Sequence, residues 1–400
     1  MRTVALRRLE QAAPRSDLDP AGERLVNREI YLDYNATAPV KAEVAAAMGA
    51  ALERTGNPSS VHGFGREARR ALERARAAVA AMVGAAPDQV IFTSGGTEAN
   101  NQALGGARGP VVVSAIEHAS VLAAVPDAER AVVDADGRID LARLERQLAS
   151  TKPALVSVML ANNETGVIQP VREVVEIARR HGARVHCDAV QAGGKLAIDV
   201  AALGADSLTL SAHKLGGPQG VGALVLGTGI EPAALLRGGG QERRWRPGTE
   251  NLPGIVGFGR ACELAIADAD WRRRTGALRD QLEAGITAIA PAARVFGRGA
   301  ERLPNTSCLT MPGVGNQTQL IEFDLAGIAI STGSACSSGK VGPSHVLAAM
   351  AVDAAEAATA VRVSFGWASA TQDVERFAMV WSRLYARTRR AAHRKLPEPA

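Results

Sequence analysis

The sequence predicts an α/β protein: a mostly parallel sheet covered by helices on both faces, followed by a smaller α+β region. Three observations predict it. Short β-type runs alternate with helical stretches from Val90 to Leu226, the pattern of successive strand–helix–strand units. Polar or glycine-rich turns follow several of these runs, at the carboxyl ends of strands where open α/β sheets gather ligands. Beyond Leu252 a long helical stretch, to about Ala290, gives way to separate strands and a closing helix.

Taken in order, residues 1–27 read as an extension ahead of the fold. Residues 29–34 read as a short strand, and a helix is expected to begin at Thr37-Ala-Pro39. Turn formers fill the loop Gly56-Asn-Pro-Ser-Ser-Val-His-Gly63, and an Ala/Arg/Glu-rich helix runs from there to about Val83. A strand at 90–93 is followed by Ser94-Gly-Gly-Thr-Glu98, which opens a helix. Further strands are expected at 111–114, 131–133, 155–160, 185–188, 207–210 and 221–226. The second region should hold strands near Val295 and at 307–311, a helix from Gln317, strands at 328–330 and 361–365, and a helix from Thr371. The expected division is an extension at 1–27, a large domain at 28–265 whose first strand can join its neighbour, and a small domain at 266–400.

With 400 residues, 46% of them hydrophobic, the chain can bury large cores. The net charge of +5 is modest. Much of it lies near the ends, at Arg2, Arg7, Arg8 and Arg15 and again at Arg383, Arg387, Arg389, Arg390, Arg394 and Lys395. No aromatic-interleaved basic patch accompanies the tail, so a solvated helix face is expected there and direct nucleic-acid binding is not. No apolar run is long enough to span a membrane. The N-terminal arm lacks the apolar core of a signal peptide and carries acids, so a cytoplasmic location is expected. Cys187, Cys262, Cys308 and Cys336 are far apart, without a C-x-x-C pair, and there is no H-E-x-x-H. Neither a metal site nor a disulfide framework is expected.

The chemistry gathers around Ser211-Ala-His-Lys-Leu-Gly-Gly-Pro-Gln-Gly220, a Gly/Pro-rich turn between two β-type runs. It places Lys214 on a loop between strands. Lysine amines form Schiff bases with pyridoxal phosphate (PLP); a solvated loop lysine is the plain alternative, and the remaining motifs decide between them. Ser94-Gly-Gly-Thr97 lies between a strand and a helix, where free N–H groups, close backbone approach and a hydroxyl suit a phosphate, although an ordinary capped turn fits the same residues. It is neither a G-x-G-x-x-G fingerprint nor a P-loop, and the segment from Gly333 to Lys340 misses the P-loop spacing by one residue. Asp188, in His186-Cys-Asp-Ala-Val-Gln191, ends a strand and suits a protonated pyridine nitrogen or a helix cap. Gln191, three residues on, suits a ring hydroxyl. His118 suits stacking on an aromatic cofactor and proton transfer, or merely starts a helix. Asn162-Asn-Glu-Thr-Gly166 is a polar turn after a strand end. Arg362 suits a two-point hold on a carboxylate or a surface ion pair. Thr249, in the turn Arg246-Pro-Gly-Thr-Glu-Asn251, offers a hydroxyl to a phosphate. In Gly333-Ser-Ala-Cys-Ser-Ser-Gly339 the neighbours of Cys336 cannot pack it into a core, which suits a tethered thiol that reaches a substrate and then a partner; a free surface cysteine fits as well. Cys187, Cys262 and Cys308 lie in apolar runs and read as core cysteines.

In this order, from about Ile30 to Phe377, these segments resemble the cysteine desulfurases, PLP enzymes of fold type I in the class V aminotransferase superfamily. The resemblance implies a large domain with a mostly parallel sheet of the seven-stranded type and a smaller α+β C-terminal domain. It implies that Lys214 is the PLP lysine and that Asp188 pairs with the pyridine nitrogen. Gln191 and Asn163 would contact the hydroxyl side of the cofactor, and His118 would stack on the ring and act in proton transfer. Thr97, Ser211 and His213 would hold the phosphate, with Gly96 lending its backbone. Thr249 would reach the phosphate of the neighbouring subunit, which implies a homodimer. Arg362, with Asn163, would hold the substrate carboxylate, and Cys336 would form the persulfide. The surroundings of Cys336 resemble the long-loop class tied to iron–sulfur assembly. Gly216 and Gln219 stand where bulkier or basic residues are frequent, and Arg244 where glycine is frequent.

The implied reaction converts L-cysteine to L-alanine and passes sulfur, as a persulfide on Cys336, to an acceptor protein. An iron–sulfur scaffold or a sulfur carrier, including one serving tRNA thiolation, would be that acceptor. A selenocysteine lyase would use the same residues, and a class V aminotransferase would share all but Cys336. Ser211-Ala-His-Lys214 also fits the S-x-x-K of serine acyl-enzymes, but S-D-N is missing and Arg274-Thr-Gly276 only approaches K-T-G. A non-catalytic sulfur carrier would have no reason to carry the cofactor set.

Overall fold

The computed structural model describes residues 29–268, 270–332 and 343–393, the last three of these as backbone only. Its strands are β1 (Ile30–Tyr31), β2 (Val90–Thr93), β3 (Val111–Ser114), β4 (Glu129–Ala131), β5 (Leu155–Ser157), β6 (Arg184–Asp188), β7 (Ser207–Ser211), β8 (Gly222–Leu226), β9 (Thr306–Thr310), β10 (Ile328–Ala329) and β11 (Ala360–Ser364). Strands β2 to β8 make one seven-stranded sheet in the order β2-β8-β7-β6-β5-β3-β4. Only β8 runs against its neighbours; the pairs from β7 through β4 are parallel. Sequences such as Val-Ile-Phe-Thr in β2 and Gly-Ala-Leu-Val-Leu in β8 are buried along their whole length, as a sheet covered on both faces requires.

Helix packing on the sheet follows from small residues at helical spacing. The helix Gly63–Met82 buries Ala68, Ala71, Leu72, Ala75 and Val79 along one stripe. It lies against the helix Leu252–Ala267, and a Cβ on Gly259 there would sit 2.6 Å from Ala75 Cα. That glycine is what lets the two backbones approach. Beyond this unit, β9 pairs antiparallel with β11 and β1 pairs parallel with β10. Ile30 and Leu32 join a second apolar cluster with Phe323, Phe365, Phe377 and Trp381, in which Phe323 stacks on Phe377 at 4.5 Å.

The strands expected at 29–34 and 155–160 are shorter, at Ile30–Tyr31 and Leu155–Ser157, and four further elements differ in kind or position from the sequence expectation. The first helix starts at Ala42 rather than near Thr37, because Ala38 N–H donates to the His213 carbonyl and Lys41 N–H to the Gly216 carbonyl. The segment is committed to the lysine loop before a helix can begin. The strand expected at 131–133 lies two residues earlier, and Val133 only bridges Ile139. The single helical stretch expected after Leu252 is two helices, Leu252–Ala267 and Trp271–Ile289. Near Val295 there is a bridge to Leu309 rather than a strand.

One buried ion pair ties three elements together. Arg76 reaches both carboxylate oxygens of Glu242, at 2.8 and 2.6 Å, and lies over the Phe92 ring. Glu242 also accepts from Phe92 N–H at 2.9 Å. To place this carboxylate the chain holds Glu242, Arg243 and Arg244 at φ of 42°, 57° and 69°, left-handed values that disfavour side-chain-bearing residues. Arg244 thus adopts a conformation in which glycine carries no penalty. Removing one partner of such a pair strands a buried charge, at about 3–5 kcal/mol. Arg76→Met is therefore expected to lower unfolding stability by that amount in urea titrations, and the double variant Arg76→Met/Glu242→Leu to recover part of it. An unchanged midpoint for Arg76→Met would contradict this account of the pair.

Candidate active site

The sequence motifs converge because their strands point the same way. Gly96 and Thr97 follow β2, His118 follows β3, Asn163 follows β5, Asp188 ends β6, and Ser211 ends β7 just before Lys214. All lie at carboxyl ends of the sheet. Ten of the expected site residues line one cavity of about 310 Å³: Gly96, Thr97, His118, Asn163, Asp188, Gln191, Ser211, His213, Lys214 and Arg362. Thr249 does not line it and is exposed on this chain. Cys336 lies outside the described residues.

Each side chain is held by identifiable partners. Asp188 is 5% exposed; its Oδ2 accepts from Asn100 Nδ2 at 2.7 Å and its Oδ1 from Val190 N–H at 2.9 Å. The helix Gly96–Leu104 begins against this turn, where a Cβ on Gly96 would lie 2.8 Å from Val190 Cγ2. Lys214 closes a short 3₁₀ turn, and its Nζ donates to the carbonyls of Asn35 and Ala36, both at 2.7 Å. His213 Nδ1 lies 3.2 Å from Thr37 Oγ1. Burial, and then the neighbouring Lys214 and Lys195 cations, push its pKa down to about 4.

Arg362 is no surface residue: it is 1% exposed. Its Nη2 pairs with Asp33 Oδ1 at 2.7 Å, and its Nη1 donates to the Asn163 carbonyl at 3.0 Å. Its Nε makes no hydrogen bond to a described residue. The stem of Lys41 packs over Gly216, where an added Cβ would meet Lys41 Cγ at 3.1 Å. Cys187, Cys262 and Cys308 are fully buried, as their apolar runs suggest, and burial pushes the Cys308 thiol up to about 12. Such thiols are poor nucleophiles. Among the described residues, no group of three or more His, Cys, Asp or Glu side chains is placed to hold a metal ion, and no helix is long and apolar enough to cross a membrane.

Two residues absent from the sequence reading organise the cavity floor. Asn35 is 1% exposed; its carbonyl accepts from Lys214 Nζ and from Gln191 Nε2, and its Oδ1 accepts from Lys195 Nζ at 2.8 Å. Its Nδ2 donates to Thr306 Oγ1 and to the Asn163 carbonyl. Lys195 is 4% exposed and also donates to Gln191 Oε1 at 2.9 Å; burial holds its amine well below the usual lysine range. The Gln191 amide therefore spans Asn35 and Lys195. Asn35 lies in the middle of the segment Asp33-Tyr-Asn-Ala-Thr37, a polar turn after an apolar strand like the one that holds Asn162. For Lys195 the only hint was a lysine set between Ala192, Gly193, Gly194 and Leu196.

A seven-stranded, mostly parallel sheet with a lysine, an aspartate and a glycine-opened helix meeting at one cavity defines a fold type I arrangement. The chain belongs to the class-V aminotransferase family, whose pattern it matches over residues 30–377. Within that family it is similar to proteins named cysteine desulfurase. It is 47% identical to the cysteine desulfurase of Cereibacter sphaeroides, over 86% of this chain and 92% of that protein. It is 40% identical to the cysteine desulfurase IscS of Dictyoglomus turgidum, over 87% of this chain and 92% of that one. Among solved structures, the NifS-like protein of Rickettsia africae superposes with a TM-score of 0.84 at 34% identity, covering 90% of this chain and 100% of that one.

The buried histidines set an acid limit on the fold. Burial pushes both His186 and His213 down to about 4, against an unfolded value near 6.5. The unfolded chain takes up protons first, so stability present above pH 6.5 is lost as pH falls toward 4. For fully buried His186 the loss approaches about 3 kcal/mol. Urea midpoints measured at pH 7, 5.5 and 4.5 are expected to fall steadily; equal midpoints would contradict this.

Proposed function

We propose that this chain is a PLP-dependent cysteine desulfurase that converts L-cysteine to L-alanine and carries the sulfur away as a persulfide on Cys336. One observation carries the reading: a single cavity collects ten motif residues from separate strand ends. The residues present fit PLP. The cradle at Gly96, which a Cβ would fill, suits a phosphate at a helix N-terminus beside Thr97, Ser211 and His213. Asp188, fixed by Asn100 and Val190, suits the pyridine nitrogen, and Lys214 suits the aldehyde carbon. Asn163 and Gln191 line the side on which the ring hydroxyl would fall. When bound, PLP supplies an electron sink for negative charge at the substrate Cα.

The protein's own groups do the rest. Lys214 would move the proton at the substrate Cα. Arg362, buried and held by Asp33, offers its cation to the substrate carboxylate. The Cys336 thiolate attacks the substrate sulfur, the substrate C–S bond breaks, an S–S bond forms on Cys336, and the three-carbon product takes up protons to become alanine. The persulfide is then passed to an acceptor protein, an iron–sulfur scaffold or a sulfur carrier. In a homodimer Thr249 would serve the partner's phosphate.

The test is alanine formed from L-cysteine. Wild type is expected to form alanine. Cys336→Ala is expected to keep the absorbance of the bound cofactor but lose alanine formation and sulfur transfer, and Lys214→Ala to lose at least about 100-fold in rate. Undiminished alanine formation by Cys336→Ala, or amino transfer from cysteine to a keto acid without sulfur release, would overturn the reading.

A further inference from the structure

A chain of hydrogen bonds behind the cavity fixes where one proton sits. His186 is fully buried between two partners, its Nδ1 2.8 Å from Ser207 Oγ and its Nε2 3.0 Å from Asn100 Oδ1. An amide oxygen only accepts, so His186 carries its proton on Nε2. The Asn100 nitrogen then faces its other two neighbours, Asp188 Oδ2 at 2.7 Å and Ser120 Oγ at 2.9 Å. This orientation is forced from both ends, because the carboxylate accepts and the histidine donates. With Asn100 donating to Ser120 Oγ, the one proton of that hydroxyl must go elsewhere. His118 Nδ1 stands 2.8 Å from Ser120 Oγ. The backbone N–H of Ser120 points at the same nitrogen from 3.1 Å. A backbone N–H can only donate, so Nδ1 is the acceptor and carries no proton, and the Ser120 hydroxyl, which already accepts from Asn100, is free to donate to it as well.

We propose that Asn100 and Ser120 are positioning residues that lock His118 as the neutral tautomer protonated on Nε2. A proton on Nδ1 would face the Ser120 backbone N–H, which costs that hydrogen bond. His118 then meets its ligands through Nε2 as a hydrogen-bond donor, and removal of the Cα proton falls to Lys214. The same relay joins His118 to Asp188 through Ser120 and Asn100, so the residue that would stack on the cofactor ring and the residue that would pair with its nitrogen share one frame. The consequence for catalysis rests on the proposed function; the position of the proton does not.

The experiment is nitrogen NMR of the full-length chain labelled with ¹⁵N-histidine, at pH 7, with and without PLP. The chain has seven histidines, and His118→Gln identifies the signals that belong to His118. The expected result is a bare, pyridine-type Nδ1 and a protonated, pyrrole-type Nε2. Ser120→Ala is expected to shift both His118 signals toward an averaged position, and Ser120→Thr, which keeps the hydroxyl, to restore the wild-type pattern. A protonated Nδ1 in wild type, or a Ser120→Ala spectrum identical to wild type, would overturn the proposal. A protein that fails to bind PLP would refute the proposed function and leave this measurement intact.

Discussion

Asn35 is the residue on which the cavity depends. It lies where the segment after β1 crosses between the seven-stranded sheet and the β9–β11 pair. Its backbone N–H donates to Ser364 Oγ, its side chain reaches Thr306, Asn305 and Lys195, and its carbonyl takes Lys214 and Gln191. Every polar atom of the residue is engaged, and the residue is closed to solvent. A buried polar group left without a partner costs about 1–3 kcal/mol, so the network is most stable when all its members are in place together. That mutual requirement sets Lys214 in one position before any ligand arrives, which is how pre-organisation lowers the cost of binding.

Electrostatics around that hub favour anionic ligands. Lys214 and Arg362 line the cavity and Lys195 stands behind it on Asn35, three basic side chains in one region, with Asp33 the partner of Arg362. Burial, and then repulsion from Lys214 and Arg362, hold the Lys195 amine below the usual lysine range, and it donates to both Asn35 and Gln191. His186 and His213 are kept neutral by burial. Neutral histidines have fixed tautomers, and fixed tautomers give directional hydrogen bonds.

The strands were legible because parallel, doubly covered strands are written as short apolar runs, and the site was legible because its residues cluster at the ends of those runs. Lys214, Asp188 and His118 could be found this way from neighbours within a few positions. The joint role of Asn35 and Lys195 could not, although Asn35 sits in a polar turn after a strand, since Asn35 meets Lys195 and Lys214 across 160 and 179 residues of sequence. Arg362 was left open between a carboxylate clamp and a surface ion pair; its burial against Asp33 comes from the segment after β1, which bridges Ser364, and not from its own strand. The left-handed run at Glu242 was hidden for the same reason, because it answers to Arg76 and Phe92, both far earlier in the chain.

The central claim is that Lys214, and not the buried Lys195 beside it, is the lysine that takes the cofactor. Lys214 lines the cavity that collects the motif residues, whereas Lys195 does not line it and donates to Asn35 and Gln191. Borohydride reduction of the PLP-loaded protein, followed by peptide mapping, tests this directly. The account predicts a pyridoxyl group on the peptide that contains Lys214 and an unmodified Lys195. A label on Lys195, or none on either lysine, would contradict it.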